Sequence, residues 1–119
     1  GGRTDGPEVT FDGKAVAGPS PVDALLAAAA ACSGIDIVSI LEKMREPLTA
    51  LVVRTEGTRA ADHPRRLTRL AITYEATGTG LDLAKVRRAA ELSVEKYCSV
   101  TQSLAKDIDL VWDVVLREG

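Results

Sequence analysis

An α+β domain with a largely antiparallel sheet is the fold class this sequence predicts, and three observations point to it. Residues 24–31 carry no charge and follow the helix-start signal Ser20-Pro21, so a helix apolar all round, enclosed by other structure, is expected there. Residues 51–56, 69–74 and 108–117 alternate apolar and polar side chains, the period of two of a half-buried strand. The first two of these segments are joined by a short, turn-rich connection, and the helices stand apart from them, which favours hairpin pairing over a doubly wound parallel sheet.

Taken in order, residues 8–11 alternate toward Asp12-Gly13, a hairpin-turn dipeptide, so residues 14–17 are expected to return as a second edge strand. Gly18-Pro19-Ser20-Pro21 then breaks the pattern. Ser20 suits an N-cap, Pro21 the first helical position, and Asp23 adds a carboxylate where the helix dipole favours one. The charges at Glu42, Lys43, Arg45 and Glu46 mark emergence into water, and Pro47 is expected to end the helix. The two strands follow, separated by residues 60–66. After Gly78-Thr79-Gly80, the spacing of Leu83, Val86, Ala90, Val94 and Tyr97 predicts an amphipathic helix from about Asp82, and a shorter one is expected over residues 99–106. The last strand turns Ile108, Leu110, Trp112, Val114 and Leu116 to one face.

The chain of 119 residues fits a single domain, 1–119, with 45% hydrophobic and 27% charged side chains. Four aromatic residues leave the core to Ala, Val, Leu and Ile, a thin core of the kind that leans on a partner subunit. A net charge of −2 gives no positive field for phosphates or anionic lipid, so neither nucleic acid nor membrane is an expected partner. No basic stretch followed by an apolar run resembles a secretion signal, and two cysteines without one suggest a reducing, cytoplasmic setting.

Chemistry centres on those cysteines, Cys32 and Cys98. Cys32 follows five alanines in the apolar helix, which leaves it open between a small core hydrophobe and a reactive thiol. Cys98 lies where one helix ends and another begins, a position that stabilises a thiolate, so spacing alone makes it the more reactive of the two. His63, before Pro64, is a turn residue with no second ligand near it in sequence. Glu91 and Glu95 read as solvated or paired with Arg87 and Arg88.

Residues 18–26, with Cys32 eleven positions past Pro21 and the run 35–41 after it, resemble the central helix of the OsmC/Ohr family. Residues 96–100 are similar to the second cysteine motif of an OsmC-like branch, and the resemblance runs from about Phe11 to the C-terminus. It implies an OsmC-like fold with a long buried central helix, an intertwined homodimer with sites at the interface, and reduction of organic hydroperoxides. Cys32 is then the peroxidatic thiol and Cys98 the resolving one. No bound cofactor or metal is implied, only an external dithiol reductant of the lipoyl type. The family lowers the peroxidatic pKa with an N-terminal arginine held by a glutamate at the start of the central helix. The corresponding candidates are Arg3, in a Gly-Gly-Arg like that of the Ohr branch, and Asp23, one position past Val22, where peroxidase branches have glutamate. That departure supports an alternative, a dimeric stress or small-ligand-binding protein without efficient peroxidase activity.

Overall fold

The computed structural model describes residues 6–119. Glu8 forms an isolated bridge, but residues 14–17 are no return strand. The Asp12 carboxylate explains why: it accepts the backbone N–H groups of Lys14, Val16 and Ala17 at 3.0, 3.2 and 3.0 Å and curls the chain around itself. These N–H groups, Lys14 first, hold the Asp12 carboxyl below the usual carboxylate range.

Helix α1 spans Pro21–Lys43 and begins as expected, with Ser20 Oγ accepting Asp23 N–H at 3.2 Å. It stops before Pro47. Arg45 takes a left-handed φ of 58°, Arg45 N–H donates to Glu42 C=O and Glu46 N–H to Leu41 C=O, each at 3.0 Å. This is the Schellman arrangement, which satisfies the last carbonyls without proline.

Strand β1 (Leu48–Arg59) pairs antiparallel with β2 (Leu67–Gly78), and the sheet order is β1-β2-β3. Strand β3 (Asp109–Arg117) runs parallel to β2, which corrects the expectation of a largely antiparallel sheet. Parallel neighbours need a crossover, and residues 79–108 supply one: α2 (Leu83–Leu92), a single π-helical turn (Ser93–Tyr97) and α3 (Ser99–Ser103). The fold is α+β with a mixed sheet. Asp82 caps α2 by accepting Ala84 N–H at 2.9 Å. Gly78 is required where the sheet meets the end of α1, since a Cβ there would sit 2.2 Å from the Pro47 carbonyl oxygen.

The core lies between the helices and one face of the sheet. Leu70, Ile72, Tyr74 and Ala76 of β2 are buried with Val114 of β3, against Ala29, Ile37 and Leu41 of α1 and Val86, Ala89 and Ala90 of α2. On the other face Glu75 pairs with Arg54 and Arg117, and Arg54 is the first cause holding its carboxyl below the usual range. Helix α1 packs on β1, α2, the π turn and α3, yet only Ala29, Ser33, Gly34, Ile37 and Leu41 are buried. The enclosure predicted for this helix is thus partial within one chain, and Leu25, Ile35 and Val38 remain exposed.

Candidate functional site

The two cysteines meet because α1 passes beneath the junction of the π turn and α3. Their sulfur atoms and a carboxylate oxygen of Asp36 all lie within 4.8 Å of one another. Cys32 and Asp36 stand four residues apart and so share a face of α1. Cys98 comes from the other wall. The i→i−5 bond of the π turn, Cys98 N–H to Ser93 C=O at 2.7 Å, ends that segment at Cys98. Cys98 then becomes the N-cap of α3, its Sγ accepting Thr101 N–H at 3.5 Å.

The thiols differ in access. Cys32 is half-buried, whereas Cys98 is fully buried. Burial first, and also the adjacent Cys32 sulfur, push the Cys98 thiol above the usual cysteine range, against the opposing pull of Thr101. No cation is among the groups acting on it. The cap position that made Cys98 the more reactive thiol on spacing is outweighed by desolvation, and the exposed sulfur is Cys32.

Buried hydroxyls support the cluster. Ser93 Oγ lies 3.1 Å from both Asp36 Oδ2 and Ser33 C=O, so its single proton serves one of them at a time. Tyr74 donates its hydroxyl to Ser33 Oγ at 2.8 Å, and Ser33 Oγ donates to Ala29 C=O at 2.8 Å. Thr101 Oγ1 reaches Val94 C=O at 3.1 Å, tying α3 to the π turn. Beside Asp36 an open trough of about 490 Å³ is lined by Ser39, Ile40, Lys43, Leu92 and Tyr97. It leads from solvent toward the half-buried side of the cluster.

Two other candidates are not brought here. Asp23 is exposed in the first turn of α1; nine residues at about 1.5 Å each put it roughly 13 Å along the axis from Cys32 and half a rotation round. It acts as an N-terminal charge and does not reach the Cys32 thiol. Arg3 lies outside the described residues. Val22 is half-buried against the core. His63 is exposed in the β1–β2 connection, and Glu91 pairs with Arg88 at 2.8 Å. The residues that sequence reasoning missed are Asp36, Ser93 and Tyr74. The Cys32/Asp36 spacing on one helix was a usable signal, whereas nothing local ties Ser93 or Tyr74 to the site.

This geometry sits on a fold with known relatives. A family model described as OsmC-like protein matches residues 11–113. Protein YhfA of Escherichia coli strain K12 is 38% identical over 111 residues, covering 92% of this chain and 83% of that protein. Among solved structures, an OsmC like protein from Mycoplasma pneumoniae superposes with a TM-score of 0.82 at 17% identity, over 94% of this chain and 84% of that one. The organic hydroperoxide resistance protein OhrB of Bacillus subtilis does so with a TM-score of 0.62 at 16% identity, over 84% and 75%. The last two likenesses are likenesses of fold. With the family model spanning most of the sequence and YhfA similar over nearly all of it, the chain belongs to the OsmC-like protein family.

Proposed function

We propose that this chain is a cysteine-based peroxidase that reduces organic hydroperoxides, with Cys32 as the attacking thiol and Cys98 as the resolving one. The supporting observation is the pairing itself: one half-exposed and one buried thiol with sulfurs within 4.8 Å. The Cys32 thiolate attacks the terminal peroxide oxygen, the O–O bond breaks, and the alkoxide leaves and takes a proton as the alcohol. The sulfenic acid condenses with the Cys98 thiol to a disulfide and releases water. An external dithiol of the lipoyl type then returns two electrons and two protons by thiol–disulfide exchange. The mixed apolar and polar trough beside Asp36 suits a substrate with a hydrocarbon tail better than hydrogen peroxide.

A homodimer belongs to the same reading. The uncovered flank of α1 and the inward side chains of β1 border an open trough of about 620 Å³, lined by Ala31, Gly34, Ile35, Val38, Leu51 and Val53. A second copy of the chain covers such an apolar surface with the same surface of its own. A cytoplasmic setting fits two free thiols that must be reduced to work.

The test is to mix reduced protein with cumene hydroperoxide and count free thiols. The expected outcome is loss of two thiols per chain for one hydroperoxide consumed. Cys32→Ser abolishes this, and Cys98→Ser lets Cys32 proceed to the sulfinic acid. Thiols that persist in excess hydroperoxide overturn the reading.

One observation favours a second reading, a dimeric stress or small-ligand-binding protein without efficient peroxide chemistry. The Asp36 carboxylate lies beside both sulfurs, and a like charge at that range disfavours a thiolate. A Cys32 thiol that titrates in the ordinary cysteine range and reacts with hydroperoxide no faster than free cysteine is the outcome this reading expects.

A further inference from the structure

A carboxylate between two thiols is a poor arrangement for holding a free thiolate, yet it is a good arrangement for holding a cation. We propose that Cys32, Asp36 and Cys98 form a binding site for a thiophilic divalent cation of the Zn²⁺ class, which masks both thiols while it is bound. The donor set is two sulfurs and one carboxylate oxygen. Zn²⁺ takes such ligands at about 2.3 Å for sulfur and about 2.0–2.2 Å for oxygen in tetrahedral geometry. Tetrahedral angles then place the donor atoms roughly 3.5–3.8 Å from one another. All three atoms here already lie within 4.8 Å, so rotamer adjustment of the two α1 side chains, four residues apart, closes the difference.

The surroundings match what a metal site requires beyond its ligands. Ser93 Oγ lies 3.1 Å from Asp36 Oδ2 and fixes that carboxylate from outside the donor set, leaving its other oxygen for the metal. Thr101 N–H points at Cys98 Sγ and stabilises it as a thiolate ligand. Cys32 and Asp36 are half-buried while Cys98 is buried, so the cation enters past the trough beside Asp36 and settles against the inner sulfur. Three protein ligands leave the fourth position to water, as in open zinc sites.

Loading releases protons: two neutral thiols and Zn²⁺ give two zinc–thiolate bonds and two H⁺. The masking clause rests on the proposed peroxidase reading. There, one hydroperoxide and two protons convert the zinc-bound thiolates to a disulfide, an alcohol and water, and the cation is expelled because a disulfide is no longer a thiolate ligand.

The experiment uses the full chain, reduced and freed of metal with a chelator, titrated with Zn²⁺ against a chromophoric competitor and with Co²⁺ by absorption. One metal per chain is expected, with a sulfur-to-cobalt charge-transfer band and two protons released per Zn²⁺. Asp36→Asn and Ser93→Ala each weaken affinity by about tenfold or more, and Cys98→Ala, a variant that keeps the site apolar, removes the cobalt band. Thermal melts of each variant establish that it is folded. Absence of uptake at micromolar Zn²⁺, or uptake unchanged in Cys98→Ala and Asp36→Asn, overturns the site. Thiol loss with cumene hydroperoxide in the metal-free protein is measured separately, so the two readings fail independently. If Zn²⁺ binds but leaves the rate of that thiol loss unchanged, masking is overturned and the peroxidase reading is not.

Discussion

Tyr74 is fully buried in the middle of β2, and its hydroxyl ends on Ser33 Oγ, directly beneath the cysteine cluster. Burial is the first cause that pushes this phenol up to about 12. An acid held neutral in the folded chain contributes stability that is complete below the unfolded pKa of about 10 and is lost as pH rises through the folded value. Tyr74→Phe removes one hydrogen bond while leaving Ser33 bonded to Ala29, at a cost of about 1 kcal/mol near neutrality. Urea unfolding at pH 8 and pH 11 is the check: wild type loses more stability between the two than the Phe variant does. Both cysteines were legible in the sequence, since each stands in a family motif. Asp36 was visible but read as an interruption of an apolar helix, because its partners come from the π turn and α3. The activating pair expected in Arg3 and Asp23 has no counterpart in the site: Asp23 is two and a half turns away, and Arg3 lies outside the described residues.

Helix and strand types followed from periodicity, and their ends followed from caps. Ser20, Pro21 and Asp82 announced their helix starts, whereas the end of α1 did not announce itself, because an arginine occupies the left-handed position that glycine usually takes. A left-handed non-glycine residue is strained by about 1 kcal/mol, so Arg45→Gly raises stability by about that much, read as an upward shift in melting temperature. The direction of β3 was misjudged for a related reason. Alternation fixes which face of a strand is buried but says nothing of its direction, and the intervening helices were the overlooked clue to a parallel crossover. The π turn was not legible at all: one extra residue in a helical turn leaves the hydrophobic spacing nearly unchanged. Gly34 illustrates what packing adds to pattern. A Cβ there would stand 3.2 Å from Val53 Cγ2, so Gly34→Val pushes α1 away from β1, with an expected loss of about 1–3 kcal/mol in denaturant unfolding.

At the scale of the molecule, an uncharged 23-residue helix is only partly covered by its own chain. It is also long and apolar enough, by length and composition, to cross a bilayer, which makes its covering a question for experiment. Ile35 is 70% exposed near the centre of the open flank. For the proposed homodimer, Ile35→Asp places a charge where two copies meet. Sedimentation is expected to show wild type at twice the 12.6 kDa chain mass and the variant as a folded monomer. A wild-type monomer overturns the dimer, and the flank then has another occupant.

Cys98 gives the protein an internal gauge of its own oxidation state. The same sulfur that is available to Cys32 also terminates the Thr101 amide at the start of α3. Converting it to a disulfide or binding it to a cation changes the acceptor that this amide sees, by a local event that needs no motion of the sheet. Hydrogen–deuterium exchange at Thr101 and the nearby amides of α3 therefore differs among reduced, oxidised and metal-loaded protein, while Leu70 and Ile72 in the central strand exchange alike in all three.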